Sequence, residues 1–180
     1  MTSNQSTIIF GTWQAGKKHW VGINDAHIRD SIAASLDYGI TSFDTAPVYG
    51  DGLAETILGD MLHHKRDQIE LISKVSPHRL EFQEVIQSCE ESLVRLKTQT
   101  LDMLCVHWPA GSYGSEHVPW EDTMRAFLSL KESGKIKRIG LSNVSHEQLN
   151  QAMRWGTVDA IQNPFSLFWN HFEHHIRPIR

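Results

Sequence analysis

Two patterns of apolar residues alternate along the chain. Short, nearly continuous apolar runs, such as ELISKV at 70–75, are typical of strands that helices cover. Between these runs, apolar residues recur every three or four positions, as at Phe82, Val85, Ile86 and Cys89, which is the spacing of a helix face. The pattern predicts six strands, over residues 7–13, 40–44, 70–75, 101–107, 137–143 and 158–165.

Short polar signals predict where the helices between these strands begin and end. Asn24 can cap the first helix, and Gly39 suits its C-terminal stop. Gly134 suits the end of the fourth helix, and SHEQ at 145–148 has the form of a capping box that opens the fifth. Strands that alternate with helices, with no linker between them, predict βαβ units, a parallel sheet and one α/β domain over residues 1–180.

Composition narrows the class of protein. The 180 residues carry a formal net charge of -4 with acids and bases mixed, so we expect neither nucleic acid nor a membrane as a partner. No segment is apolar enough to span a bilayer, and the N-terminal MTSNQST lacks the basic and apolar regions of a signal peptide. Cys89 and Cys105 lie among apolar residues without CxxC spacing, which favours reduced core thiols in a cytoplasmic protein.

Chemically distinctive residues collect where the predicted strands end. In parallel α/β folds the carboxyl ends of the strands form the active-site face. A single polar residue at a strand end needs no function, because strand ends meet water, but here every predicted strand shows the pattern. The segments concerned are Gly11-Thr12-Trp13, Asp44, Ser73-Lys74, His107-Trp108, Ser142-Asn143 and Gln162-Asn163.

Four residues in this region suit acid catalysis. The phenol of Tyr49 has an ordinary pKa of ~10, and a nearby ammonium such as Lys74 lowers it. Asp44 can hold Lys74, and His107 can donate a hydrogen bond to a substrate oxygen. Tyr49 would then give its proton to a carbonyl oxygen while a reduced cofactor supplies hydride to the carbon. Taken singly, each has an ordinary alternative: a loop cap, a snorkelling lysine, a structural histidine or a loop aromatic.

Longer motifs around these residues resemble the aldo-keto reductase family. FDTAPVYG resembles its aspartate-tyrosine signature, LISKV carries the lysine and LCVHWP the histidine, while GLSN and IQNPFSLF resemble motifs of its fifth and sixth strands. The order and spacing match over almost the whole chain. This resemblance implies a (β/α)8 TIM barrel, here truncated to about six βα units, that reduces aldehydes or ketones to alcohols with NADPH.

The resemblance also implies a role for each matched residue. It assigns the catalytic tetrad to Asp44, Tyr49, Lys74 and His107, with Tyr49 as the proton donor and Asp44 also next to the cofactor. The other cofactor-binding positions are Gly11, Thr12, Trp13, Ser142, Asn143 and Gln162. The implied substrate pocket is lined by Trp13, Val48, Tyr49, His107 and Trp108. For the two tryptophans, ordinary packing is an equal alternative.

The chain departs from this family in length. A barrel of this kind takes ~250 residues and eight strands, and the sequence predicts six. By the family pattern, the two further strands carry the aromatic that stacks on nicotinamide and the basic residues that grip the adenosine phosphate. The preference for NADPH over NADH therefore rests on the resemblance alone. Two open sheet edges favour self-association. Either the chain is a fragment of a longer protein, which we favour, or another chain completes the barrel, and a natural short form stays open.

Three functions stay open at this point. The leading one is an NADPH-dependent carbonyl reductase. The others are a slow, cofactor-binding regulatory subunit, which channel-associated relatives suggest, and an inactive short form that acts by association.

Two further stretches carry weaker signals. His171, His174 and His175 have a spacing that can ligate a metal, but a solvated helix is the simpler interpretation, so we predict no metal site. The loop at 110–120 either shapes substrate access or only connects two elements.

Overall fold

The computed structural model describes residues 8–18 and 20–168. The strands are β1 (Ile9–Gly11), β2 (Ser42–Asp44), β3 (Glu70–Val75), β4 (Leu101–Val106), β5 (Ile136–Ser142) and β6 (Ala160–Gln162). The α-helices are α1 (Asp25–Asp37), α2 (Leu53–Leu62), α3 (Phe82–Arg95), α4 (Trp120–Glu132) and α5 (His146–Met153). Short 3₁₀ turns lie at Trp13–Gly16, His63–Gln68, Pro77–Arg79 and Ser112–Gly114.

The strands form one curled parallel sheet. Each strand pairs with the next in the chain, so the sheet order is β1-β2-β3-β4-β5-β6. The side-chain amide of Gln162 on β6 donates to the carboxylate of Asp44 on β2 at 3.1 Å. In a flat sheet these two strands would lie about 19 Å apart, so the sheet must curl into part of a barrel. The predicted parallel α/β fold is confirmed; the single domain over residues 1–180 stays a prediction.

Three strands are shorter than the sequence predicts over residues 7–13, 40–44 and 158–165. A 3₁₀ turn that begins at Trp13 ends β1. The backbone N–H of Ile40 still donates to the carbonyl of Ser35 in α1 at 2.9 Å, which delays the start of β2. The side chain of Asn163 bonds to the backbone N–H and carbonyl of Val144, which ends β6. The three longer strands lie within one residue of their predicted bounds.

The predicted helix signals are confirmed. Asn24 caps α1 by accepting from the backbone N–H of His27 at 2.8 Å, and Gly39 follows that helix at φ +77°. Ser145 and Gln148 form the reciprocal capping box of α5, with bonds of 3.2 and 2.9 Å. None of the helices in the described part of the chain is long and apolar enough to cross a membrane.

Alternation along β3 separates two environments. Leu71 and Val75 belong to the main core, which fills the space between the sheet and the helices. Ile72 points to the other side of the sheet and packs with Cys105 in a smaller cluster. Because side chains alternate along a strand, Lys74 faces the same inner side as Ile72. The inner face of the curled sheet therefore holds the ionisable group that the sequence singles out.

The two cysteines are buried free thiols, as predicted. Burial raises the pKa of Cys89 to about 11 and that of Cys105 to about 12. Both side chains are therefore protonated at neutral pH and act as small apolar groups in the core.

Candidate active site

A buried ion pair lies at the carboxyl ends of β2 and β3. Lys74, which is only 2% exposed, donates to the Asp44 carboxylate and to the backbone carbonyl of Thr45 at 2.9 Å. Burial lowers the pKa of Lys74, but the Asp44 carboxylate and the neighbouring Tyr49 outweigh burial and raise that pKa above its ordinary value. Lys74 is therefore cationic at neutral pH, and Asp44 holds it in one place.

Tyr49 lies directly beside this pair. The Lys74 ammonium is 5.3 Å from the centroid of the Tyr49 ring. Burial raises the pKa of the phenol, Lys74 opposes this rise and Asp44 adds to it, so the net pKa lies above the ordinary value. Lys74 lowers this pKa, as expected, but removal of the phenol from water outweighs the cation, so the net shift is upward. Tyr49 is therefore fully protonated at neutral pH.

Two glycines set the position of the Tyr49 loop. The 3₁₀ turn after β1 ends at Gly16, and its backbone lies directly against the backbone of Tyr49 and Gly50. A β-carbon at Gly16 would overlap the carbonyl carbon of Tyr49, and one at Gly50 would overlap the backbone of Gly16. The φ of Gly50 is also positive, at +68°. Only two glycines allow the turn and the loop to approach this closely.

His107 completes the group around the phenol. Its ring centroid lies 5.7 Å from that of Tyr49, edge to face at 82°. Burial and the charge of Lys74 lower the pKa of His107 to about 3. The backbone N–H of His107 donates to the carbonyl of Val75 at 3.0 Å, which continues the ladder between β3 and β4 by one residue. At neutral pH the imidazole is therefore uncharged and available as a hydrogen-bond donor.

Hydroxyl and amide groups of β5 and β6 form the next part of the site. The Ser142 hydroxyl donates to the carbonyl of Gln162 at 2.9 Å. The side-chain NH₂ of Asn143 donates to the His107 carbonyl at 2.9 Å and to the Ser142 hydroxyl at 3.0 Å, with Asn143 at φ +58°. With the Gln162 amide on Asp44, these bonds link β6 to the ion pair. The side-chain oxygens of Asn143 and Gln162 accept no bond within residues 8–18 and 20–168.

The residues after β1 differ from one another in their surroundings. The Thr12 hydroxyl is buried and donates to the backbone carbonyl of Asp44 at 2.9 Å, so it ties β1 to β2. Gly11, in contrast, has no atom within 4 Å of the place where a β-carbon would lie. Thr12 therefore supports the site from within the protein, whereas the space beside Gly11 is open.

Three residues of the implied pocket, Trp13, Val48 and Trp108, are at least partly exposed. Trp13 is 52% exposed and contacts Trp20 edge to face, with ring centroids 5.3 Å apart. Trp108 is half-buried and makes a similar contact with Tyr113 at 5.1 Å. Val48 is 45% exposed. None of the three implied wall residues Trp13, Val48 and Trp108 is a core residue, and their roles toward substrate stay predictions.

The sequence did not indicate several residues that shape the site. Gly16 reads as an ordinary turn glycine, although it permits the approach of the Tyr49 loop. Trp20 and Tyr113 became relevant only through their contacts with the two wall tryptophans. Glu55 looks like a solvated helix residue but is fully buried. Close backbone approach and burial depend on tertiary structure, so no local pattern signals them.

No metal centre accompanies the site in the described part of the chain, where no group of three or more His, Cys, Asp and Glu side chains could hold an ion. The histidines 171, 174 and 175 lie outside the described residues.

The buried ion pair leads to a stability prediction. Asp44→Asn leaves the Lys74 ammonium buried without its counter-charge, so we expect a loss of about 3 kcal/mol in the free energy of unfolding. Asp25→Asn is the control, because Asp25 pairs with Lys17 at 2.6 Å with both side chains exposed to solvent. That change should cost less than about 1 kcal/mol. Urea unfolding of the three proteins measures both values, and equal losses would contradict the structure.

His107 leads to a prediction about acid stability. Its pKa is about 3 in the fold, against 6.5 for free histidine. Between these values the unfolded chain binds more protons, so stability is complete above pH 6.5 and is lost as the pH falls. Urea unfolding at pH 7 and pH 5 should show a smaller loss for His107→Gln than for the parent, by at most about 2 kcal/mol. The same loss in both proteins would show that His107 is not held neutral.

Comparison with known sequences identifies a family. The sequence profile of the Aldo/keto reductase family matches residues 7–179. Aldo-keto reductase YhdN of Bacillus subtilis (strain 168) is 36% identical over 183 residues, which cover 96% of this chain and 54% of that protein. Methylglyoxal reductase YeaE of Escherichia coli (strain K12) is 36% identical over 78% of this chain and 46% of that protein. The chain spans about half the length of the curated relatives that it matches.

Solved structures agree with the sequence comparison. An aldo-keto reductase from Klebsiella pneumoniae in complex with NADPH superposes with a TM-score of 0.82 and 31% identity, over 94% of this chain and 58% of that one. The glycerol dehydrogenase AKR11B4 from Gluconobacter oxydans superposes with a TM-score of 0.86 and 30% identity, over 99% of this chain and 57% of that one. Such neighbours are (β/α)8 barrels, which confirms the predicted fold, with six of the βα units present here. The chain belongs to the aldo/keto reductase family.

Proposed function

We propose that this chain reduces aldehydes or ketones to alcohols, with NADPH as the hydride source and Tyr49 as the proton donor. The observation that supports this proposal best is the position of the Tyr49 phenol. It lies beside the buried Lys74–Asp44 pair and in an edge-to-face contact with the neutral His107 ring. A protonated phenol can supply the proton that carbonyl reduction needs, while a fixed cation and a neutral hydrogen-bond donor can stabilise and orient the reacting groups.

The four side chains divide the chemistry between them. His107, which is uncharged at neutral pH, donates a hydrogen bond to the carbonyl oxygen and orients it. NADPH, when bound, supplies a hydride to the carbonyl carbon. Tyr49 gives its proton to the oxygen as negative charge develops there, and Lys74 stabilises the phenolate that remains. Asp44 keeps Lys74 charged and in place throughout.

The protonated state of Tyr49 in the resting protein suits this role. A phenol that is fully protonated in the resting protein always has a proton to give. Lys74 favours the charged form, so its influence is strongest when the proton has left. The cation therefore acts on the transition state more than on the resting site, which is what acceleration of a reaction requires.

The residues present fit a nicotinamide carboxamide. The side-chain oxygens of Asn143 and Gln162 have no donor within the described residues and can accept from an NH₂ group. The Ser142 hydroxyl lies beside Asn143 at 3.0 Å and, with its proton on the Gln162 carbonyl, can still accept one further hydrogen bond. Space beside Gly11 leaves room for a ligand near β1. We assign Ser142, Asn143 and Gln162 to the carboxamide, with Gly11, Thr12, Trp13 and Asp44 nearby.

We propose NADPH rather than NADH as the cofactor, because the structure of the Klebsiella pneumoniae relative is a complex with NADPH. A relative of Escherichia coli (strain K12), 30% identical over 94% of this chain, is named NADH-specific methylglyoxal reductase. Both cofactors belong in the assay for that reason. Methylglyoxal is a suitable first substrate, because two of the relatives are named as its reductases. A cytoplasmic location and the absence of nucleic-acid and membrane partners stay predictions.

Replacement of Tyr49 by Phe tests the proposed reaction. The change removes the proton donor and keeps the ring, so turnover should fall roughly 10²- to 10⁴-fold. The assay follows NADPH oxidation with methylglyoxal and with an aromatic aldehyde. Tyr38→Phe is the matched control, because Tyr38 is 87% exposed at the end of α1, and it should keep the activity of the parent.

Cofactor binding, measured by quenching of tryptophan fluorescence, separates the alternatives. NADPH binding without turnover in the parent would replace the proposal by that of a regulatory, cofactor-binding subunit. Turnover that persists in Tyr49→Phe would assign the proton to another group. Neither binding nor turnover would leave association as the function of this chain.

Association has its own supporting observation. Within the described residues, β1 and β6 each pair with only one other strand, and apolar side chains near them are exposed. Ile9 is 46% exposed, Leu167 95% and Phe168 98%. Exposed edges and apolar side chains of this kind favour pairing with a second copy. We propose this contact as a property that accompanies the proposed activity or replaces it.

Sedimentation velocity tests the association. The parent should form dimers or larger species at micromolar concentration, and Leu167→Ser with Phe168→Ser should shift it toward the monomer. Val21→Ser is the control, because Val21 is also fully exposed but lies in the loop that precedes α1. A parent that sediments as a monomer, or an equal effect of the control, would contradict the proposed contact.

A further inference from the structure

Glu55 is the fully buried carboxylate that the proposed reaction does not use. It lies in the first turn of α2, and its side chain is 0% exposed. An ionised carboxylate in such a position is strongly unfavourable unless it is paired. The carboxylate must therefore have hydrogen-bond donors around it, and these donors identify the elements that Glu55 connects.

Each oxygen of Glu55 has one donor. The hydroxyl of Ser73, on β3, donates to Oε1 at 2.6 Å. The Nε of Arg95, at the end of α3, donates to Oε2 at 2.6 Å. The guanidinium also reaches the Ser92 hydroxyl at 3.4 Å. The Cys89 thiol of α3, which lies within electrostatic reach of Glu55, stays neutral because burial raises its pKa to about 11. One carboxylate thus joins α2, β3 and α3.

Glu55 and its partner Ser73 each lie next to a residue that is, or hydrogen-bonds to, a proposed catalytic residue. Ser73 precedes Lys74 on β3, so its side chain faces the helices while Lys74 faces the interior. On the helix side, the backbone N–H of Ala54 donates to the carbonyl of Tyr49 at 3.2 Å, and Ala54 precedes Glu55 in the first turn of α2. The side chain of Arg95 packs against Gly52, the residue that caps this turn.

We propose that Glu55 is a positioning residue, which holds the first turn of α2 against β3 and so fixes the Tyr49 phenol relative to the Lys74 ammonium. The catalytic meaning of that geometry rests on the proposed function. An apolar residue would fill the same space at comparable or greater stability. Two directional bonds to different elements, however, define the relative position of loop and strand more narrowly than apolar packing does.

A spectroscopic titration tests this role. The chain has three tyrosines, so a Tyr38→Phe, Tyr113→Phe background leaves Tyr49 as the only phenol. Absorbance at alkaline pH then reports the titration of Tyr49 alone, where Lys74, Asp44 and His107 are its titratable neighbours. Burial is the largest influence on the phenol. In Glu55→Gln the loosened loop should admit water, and the titration midpoint should shift downward.

Asp102→Asn is the matched control. Asp102 near the start of β4 is also largely buried, and it accepts from Arg66 at 2.6 Å and from the backbone N–H of Leu71 at 2.9 Å. It lies at the opposite end of the sheet, so its loss should lower stability without moving the Tyr49 midpoint. An unchanged midpoint in Glu55→Gln, or an equal shift in Asp102→Asn, would overturn the proposal.

A second variant keeps the test decisive if Glu55→Gln does not fold. Ser73→Ala removes the strand side of the bridge and leaves the Glu55–Arg95 pair, and the midpoint should shift in the same direction. An unchanged midpoint in this folded variant would also overturn the proposal.

The titration needs neither cofactor nor substrate, so its outcome is independent of the proposed reaction. Where the parent does turn over, Glu55→Gln should lower kcat and leave the affinity for NADPH unchanged. Absence of turnover in the parent would reject the proposed function alone. A kcat that stays at the parent value in Glu55→Gln would reject the positioning role alone.

Discussion

The structure depends on one charge pair placed inside the curled sheet. Lys74 and Asp44 are both almost fully buried, on neighbouring strands, and each compensates the loss of water around the other. The pair determines the chemistry of its neighbours, because its cation faces Tyr49 and helps to keep His107 neutral. Loss of either partner would leave a single charge in the interior. The same pair therefore constrains the stability of the fold and the reactivity of the site.

Curvature of the sheet brings distant parts of the chain to this pair. Gln162 is 118 residues from Asp44 in sequence, yet its amide donates to the carboxylate. Between them, Ser142 and Asn143 bond to Gln162 and to the His107 carbonyl. The carboxyl ends of β2, β4, β5 and β6 are thus joined by side chains as well as by the strand ladder. The side chains proposed to bind cofactor therefore also hold the proposed catalytic groups in place.

Much of this could be predicted from the sequence, because the periods of strands and helices are local. ELISKV and LDMLCVH signalled long strands, and the caps at Asn24 and Ser145 depend only on nearby residues. That the residues at the strand ends lie together followed from the parallel order of the strands, because their carboxyl ends meet at one edge of the sheet. The net pKa of Tyr49 did not, because the extent of its burial is set by distant packing. The approach of Gly16 to Tyr49 is likewise a tertiary contact that no spacing reveals.

The buried carboxylate of Glu55 gives the strand β3 a second anchor. On the inner face Lys74 is held by Asp44, and on the outer face Ser73 is held by Glu55, which is in turn paired with Arg95. Because adjacent side chains of a strand point in opposite directions, these anchors cannot replace each other. A shift of β3 along its axis would strain both at once. The Lys74 ammonium is held by Asp44, and its strand is anchored on the opposite face by Glu55. A lysine fixed in this way can stabilise a phenolate without the reorganisation that a mobile lysine would need.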